Sequence, residues 1–183
     1  MKVVATRIPD VKLITPAKHG DHRGFFSETY NQRAFAEANL DLTFVQDNHA
    51  FSAQPGVVRG LHYQLPPFAQ DKLVRVSRGA IFDVAVDIRR NSPTFGQAVS
   101  AVVSAENWDQ ILVPVGFAHG YCTLEPDTEV LYKVTAQYAP DHERGLLWND
   151  PKLAIDWPIP LDDAILSDKD QKNPPLAALT DLF

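Results

Sequence analysis

A chain of 183 residues with 45% hydrophobic content and a formal charge of −6 has the size of one domain and enough apolar material for a buried core. The acidic balance excludes nucleic-acid binding as a main activity, which needs a net basic face, yet a few local Arg and Lys residues suffice for an anionic ligand. The single cysteine, Cys122, excludes an intrachain disulfide, and no apolar run approaches the roughly 20 residues of a membrane span. Residues 1–10 lack the apolar core of a signal peptide, being broken by Arg7, Pro9 and Asp10. A soluble, cytoplasmic protein with one domain over residues 1–183 is expected, with Cys122 as a small buried hydrophobe.

Between residues 43 and 135 the chain consists of short β-branched and aromatic runs broken by Gly, Pro or Asn, which is the signature of a sandwich or barrel. In chain order, strands are expected at 11–15, 24–30, 43–49, 57–63, 72–77, 80–88, 97–103, 110–113, 116–124 and 130–136. Ser77-Arg78-Gly79-Ala80 reads as a tight hairpin turn, and Asn91-Ser92-Pro93 opens another connection. Helix is expected over 31–39, with Phe35 and Ala38 on an apolar stripe, and briefly over 167–171. There, Ser167 followed by Asp170 resembles a capping box with Asp replacing Glu. The tail beyond Gln171, with Pro174 and Pro175, is expected to run over the surface. These elements predict an all-β protein, an antiparallel jelly-roll β-barrel with a few short helices.

Two histidines carry the first chemical signal. Pro114-Val115-Gly116-Phe117-Ala118-His119 is one half of the signature of a small metal-holding barrel, whose other half carries His-x-His on one strand face. Here that position reads His62-Tyr63-Gln64, so the second ligand is missing. His19, His22, His49 and His142 sit in loop or strand-end contexts and do not restore it. The pattern points to acid–base chemistry in place of metal chemistry. Alternation groups Phe117, His119, Tyr121 and Thr123 on one face, Ile81, Asp83, Ala85 and Asp87 on another, and Tyr132 with Val130 and Val134. Arg59 and His62 differ in parity, so both line one site only if a bulge intervenes, with Gly60 the natural place. Taken singly, each of these residues also has an ordinary role: packing for Tyr132, a solvated charge for Lys72, a helix-terminus residue for Asp170.

In order along the chain stand Arg23-Gly24-Phe25-Phe26-Ser27-Glu28-Thr29-Tyr30, Phe44-Val45-Gln46-Asp47-Asn48-His49, Arg59-Gly60-Leu61-His62-Tyr63-Gln64 and Lys72-Leu73-Val74-Arg75-Val76. Then come Phe82-Asp83-Val84-Ala85-Val86-Asp87-Ile88-Arg89, Ser92-Pro93-Thr94-Phe95-Gly96, the Pro114–His119 motif, Leu131-Tyr132-Lys133, Leu147-Trp148-Asn149-Asp150 and Leu166-Ser167-Asp168-Lys169-Asp170. With these segments almost the whole chain resembles the dTDP-4-dehydrorhamnose 3,5-epimerase family. The resemblance implies a cupin-like fold, a homodimer, no metal and no cofactor, and a dTDP-sugar substrate. It implies that His62 is the proton acceptor, Asp170 the residue that orients it, Tyr132 the proton donor, and Lys72 the stabiliser of an enolate. It further implies substrate contacts at Arg23, Glu28, Gln46, Asp47, Asn48, Arg59, Lys72, His119, Glu143 and Lys169. Phe26 is read first as packing, with an aromatic face for thymine as the other option.

The chemistry agrees with that implication. In a 4-keto-6-deoxyhexose the C3 and C5 protons are both α to the ketone. Inversion removes a proton from one face and returns one to the other, and a histidine near neutral pKa suits the first task. A monofunctional 3- or 5-epimerase, a ketoisomerase and a non-catalytic sugar-nucleotide-binding module remain as alternatives. A metal-dependent oxygenase is a third reading, for which two histidines are too few.

Overall fold

The computed structural model describes residues 1–183. In chain order it forms β1 (Lys2–Ala5), β2 (Lys12–Thr15), β3 (His19–Asp21), β4 (Gly24–Phe26), α1 (Gln32–Glu37), β5 (Gln46–Ser52), β6 (Val58–Gln64), β7 (Lys72–Arg78), β8 (Ala80–Asp87), β9 (Ala98–Ser104), β10 (Gln110–Val113), β11 (Phe117–Thr123), β12 (Thr128–Val134) and β13 (Glu143–Gly145). Short 3-10 turns follow at Pro140–His142, Leu161–Asp163, Asp170–Lys172 and Leu176–Ala178. A six-stranded sheet is ordered β1-β2-β10-β7-β12-β5, and a five-stranded sheet β13-β6-β11-β8-β9. No helix is long and apolar enough to cross a membrane.

Alternation builds three layers of core. Val74, Val76, Ile111, Val113 and Val130 of the first sheet meet Ile81, Ala85, Val99, Val103, Phe117 and Tyr121 of the second. The opposite parity of the five-stranded sheet (Val58, Leu61, Val84, Val86, Ala118 and Cys122) packs outward against Leu146, Trp148, Leu153 and Trp157. This sheet is therefore covered on both faces, which is why every residue of β11 is buried. The outer face of the six-stranded sheet is covered by Phe35 and Leu40, which pack on Ile14, Leu73 and Leu112. Asn31 caps α1 by accepting the Ala34 N–H at 3.2 Å.

The expected all-β jelly roll is present as an open pair of sheets, and the gap left between the sheets becomes the cleft described below. Four expectations are corrected. Ser77–Ala80 is not a hairpin: β7 pairs with β10 and β12 while β8 pairs with β11 and β9, so the turn carries the chain from one sheet to the other. Gly79, at φ +77°, is needed there, because a Cβ would meet the Thr128 hydroxyl at 2.3 Å. The expected strand at 43–49 is displaced to Gln46–Ser52, because its partner β12 offers pairing positions only from Thr128 to Val134. The strand at 24–30 stops at Phe26 and pairs only with β3. The tail does more than run over the surface. Leu176, Leu179, Leu182 and Phe183 pack on the outer core, and Tyr63 donates to the Asp181 carbonyl at 2.8 Å.

Candidate active site

A cleft of about 480 Å³ opens between the sheets, lined by Arg59, His62, Lys72, His119, Tyr121 and Tyr132 and closed by residues 165–170. A second lobe of about 330 Å³ continues past His62, Lys72 and Tyr132 to Gln46, Asn48, Tyr138 and Glu143. Arg59 and His62 reach the same cleft through the bulge that their parity requires. His119 pairs with His62 and Tyr121 with Arg59, so two steps along β11 span three along β6. Gly60 occupies the bulge at φ +119°, and a Cβ there would lie 2.7 Å from both the Gly120 Cα and the His119 carbonyl. No other residue fits.

Each histidine has its own carboxylate. His62 Nε2 lies 2.6 Å from Asp170 Oδ1, and the Gly60 N–H donates to the other oxygen at 3.4 Å. Asp170 opens the 3-10 turn after residue 169, which has no side-chain cap, and its N–H donates to Ser167 Oγ at 3.2 Å, so the expected Ser167–Asp170 pair forms ahead of the turn and not as its cap. Burial pushes the Asp170 carboxyl upward, but the His62 hydrogen bond and charge, with Gly60 and Ser167, hold it below the ordinary aspartate range. His119 Nε2 sits 2.8 and 3.0 Å from the two oxygens of the fully buried Asp83. The nitrogen left over on each ring is Nδ1.

The opposite wall belongs to the six-stranded sheet. Tyr132 lies on β12, and burial raises its phenol above the ordinary value, with Arg59 opposing the shift; it stays protonated at neutral pH. Lys72, on the adjacent β7, donates to the His62 carbonyl at 3.4 Å. Burial drives its ammonium down to about 8, against the pull of Glu143 and Asp83. Glu143 is pushed up by burial, yet Lys169 and Tyr138, which both hydrogen-bond its Oε2, bring it net below the usual glutamate range. Gln46 donates to Asn48 Oδ1 at 2.8 Å and accepts the Tyr138 N–H at 2.9 Å.

Gln64, the residue standing where the metal signature carries its second histidine, is buried and structural. It donates to the carbonyls of Phe68 at 2.7 Å and Gln137 at 3.1 Å, and accepts the Ala139 N–H at 2.8 Å. Three expected contact residues lie outside the cleft of the single chain. Asp47 points to the outer side of β5 and pairs with Lys133 at 2.9 Å, since Gln46, Asn48 and Ala50 take the inward parity. Arg23 is exposed at the β3–β4 turn and bound to Asp21, and Glu28 accepts from Asn31 Nδ2 at 3.1 Å. Phe26 is 67% exposed, so it does not pack within its own chain. Sequence reasoning passed over Tyr121 and Tyr138. Tyr121 shares the parity of His119 and was legible; Tyr138 is a loop residue with no periodicity to mark it.

A two-sheet jelly roll whose cleft sets a His–carboxylate pair against a neutral tyrosine and a lysine belongs to the class of carbohydrate isomerases that work by acid–base chemistry. The family model described as dTDP-4-dehydrorhamnose 3,5-epimerase matches residues 5–178. The chain belongs to the dTDP-4-dehydrorhamnose 3,5-epimerase family. It is 56% identical over 174 residues to the Pseudomonas aeruginosa dTDP-4-dehydrorhamnose 3,5-epimerase, covering 94% of each chain. The Bacillus anthracis enzyme, solved with TDP and PPi bound, superposes with a TM-score of 0.92 at 51% identity over 95% of this chain and 98% of that one. The Legionella pneumophila enzyme in complex with dTDP-4-keto-L-rhamnose also gives a TM-score of 0.92, at 44% identity over 97% of this chain and 94% of that one.

Proposed function

We propose that this chain inverts C3 and C5 of dTDP-4-dehydro-6-deoxy-D-glucose, giving dTDP-4-dehydro-L-rhamnose. The observation that carries the proposal is that His62 and Tyr132 stand in different sheets on facing walls of one cleft. Epimerisation needs that disposition: a base on one face of the sugar and an acid on the other. His62 takes the proton α to the ketone, and Asp170 orients the imidazole and stabilises the imidazolium. The electron pair moves onto the C4 oxygen, where Lys72 and His119 meet the developing charge. Tyr132 returns a proton to the opposite face of the same carbon, and both side chains are reset by exchange with solvent. Every carbon keeps its oxidation state, so the reaction calls for no redox cofactor.

The nucleotide half has Arg59 and Lys169 for the diphosphate, Gln46 and Asn48 as polar contacts, and the half-exposed ring of Tyr138 as an aromatic face. Arg23 and Glu28 serve a substrate only from a neighbouring copy, which supports a homodimer in which the β3–β4 hairpin meets the partner's cleft. The exposed Phe25, Phe26 and Phe51 supply apolar surface for such a contact. A reducing cytoplasm suits the unpaired, buried Cys122.

The test is proton NMR of dTDP-4-keto-6-deoxyglucose incubated with the protein in deuterium oxide. Loss of both the C3 and C5 proton signals is expected. Exchange at one carbon alone moves the reading to a monofunctional epimerase, and exchange at neither overturns it.

A further inference from the structure

One buried polar group in the cleft has no partner in the fold. Tyr121 stands on β11 beyond His119 on the same inward face, and its register partners are Arg59 on β6 and Asp83 on β8. It is 5% exposed, it lines the same cleft as His62, Lys72 and Tyr132, and its hydroxyl makes no hydrogen bond within the chain. Burial holds the phenol far above its ordinary value, so the group is a neutral hydroxyl that both donates and accepts. The rest of its ring belongs to the inner core that also holds Ile81, Ala85 and Val130. A phenylalanine fills the same space with no polar atom to desolvate, whereas an unpaired buried hydroxyl works against folding. The oxygen has a use that the free protein does not supply.

We propose that the Tyr121 hydroxyl is a substrate-positioning group that hydrogen-bonds a hydroxyl of the sugar ring next to the reacting carbons. The proposal rests on the reading of the cleft as a sugar-nucleotide site. Of the four parts of that ligand, the base presents an aromatic face, the diphosphate is matched by the charged fork of Arg59, and the deoxyribose has a single 3′-hydroxyl. The hexose carries several neutral hydroxyls, and these donate and accept as a phenol does. The placement agrees: Tyr121 shares the wall that holds His119, directly across from His62 in the β11–β6 ladder. Tyr121 moves no proton in the reaction. It fixes how the ring sits between base and acid.

Tyr121→Phe deletes the one atom at issue and keeps the ring. Two unreactive probes separate the parts of the ligand: dTDP-D-glucose, which has the hexose hydroxyls and no ketone, and dTDP, which has no hexose. By calorimetric titration the variant should bind dTDP-D-glucose about threefold to tenfold more weakly, the contribution of one neutral hydrogen bond. Its affinity for dTDP should not change, and the melting temperature of the free protein should hold or rise. Unchanged dTDP-D-glucose binding, equal weakening of both probes, or a lower melting temperature each overturns the proposal. Neither probe turns over, so the result stands apart from the exchange experiment. A wild-type protein that binds both probes yet exchanges no proton refutes the epimerase reading and leaves the role of Tyr121 decided by the titrations.

Discussion

Asp83 and Asp87 stand on the same face of β8, and the side chains of both are fully buried, but they live in different surroundings. Asp87 is surrounded by donors: the Arg89 N–H at 2.9 Å, its Nε at 3.0 Å and Nη2 at 2.7 Å, Ser92 Oγ at 2.5 Å and Thr94 Oγ1 at 2.6 Å. Burial pushes its carboxyl up, yet these donors hold it at about 2. Arg89 extends the network to Asp10 at 3.1 Å and lies over the Phe117 ring. Asp83 meets only His119 Nε2, and its neighbours in the cleft are equally short of partners. Lys72 has one long contact to a carbonyl and the Tyr121 hydroxyl has none. A filled network holds a fold together. An unfilled one, on the same strand and on the wall that faces it, is left for a ligand to complete.

That contrast can be broken at either end. The largest effect is expected for His62→Ala, which should lower kcat by at least about a thousandfold, at the upper range for removal of a general base. Near-ultraviolet circular dichroism and dTDP affinity should stay at wild-type values; full turnover in the variant removes His62 from the reaction. Next is Lys72→Met, which should lower kcat by about a hundredfold or more while raising stability by about 1–3 kcal/mol, since a thioether replaces a poorly compensated buried charge. The sign follows from titration. The folded state releases the Lys72 proton near pH 8 and the unfolded chain near 10.5, so wild-type stability should climb with pH across that window. Urea denaturation at several pH values should show the climb, and the variant should lack it. A Lys72→Met protein less stable than wild type contradicts the contrast.

The smallest effect belongs to the filled end. Asp87→Asn should cost about 2 kcal/mol of stability at neutral pH with kcat/KM within about twofold of wild type. The folded carboxyl titrates at about 2 against 3.8 in the open chain. Its stabilisation is therefore complete above pH 3.8 and lost as pH falls toward 2, and acid titration of the variant should show a shallower loss. An Asp87→Asn enzyme whose activity collapses at full stability makes the two ends alike.

What the sequence made legible was what is local or periodic. The parity of β11 correctly grouped His119 with Tyr121, that of β8 grouped Asp83 with Ala85, and the mismatch between Arg59 and His62 called for the bulge found at Gly60. The Ser167–Asp170 contact was visible because both partners lie three residues apart in the chain. What escaped depends on pairing across distance. Nothing local in Ser77–Ala80 says whether the next strand stays in the sheet or leaves it. Only the ladder with β12 determines where β5 begins. β13 is three residues long and has no alternation to read; it exists because β6 offers it an edge. Asp47 was expected as a contact with Gln46 and Asn48 from the resemblance, whereas the pleat sends it to the other side.

Asp170 belongs to neither sheet. It comes from a strap that follows all thirteen strands in the chain and is fastened by the Ile165–Val57 bridge and by the Leu147 N–H donating to the Pro174 carbonyl at 2.8 Å. The sandwich can therefore be complete while its imidazole still lacks the carboxylate that orients it. The contact spans more than a hundred residues of chain from His62, so it has one of the largest loop-closure requirements in the fold. A molecule with both sheets and no strap would have the walls of the cleft but no carboxylate beside the imidazole that the proposed reaction needs.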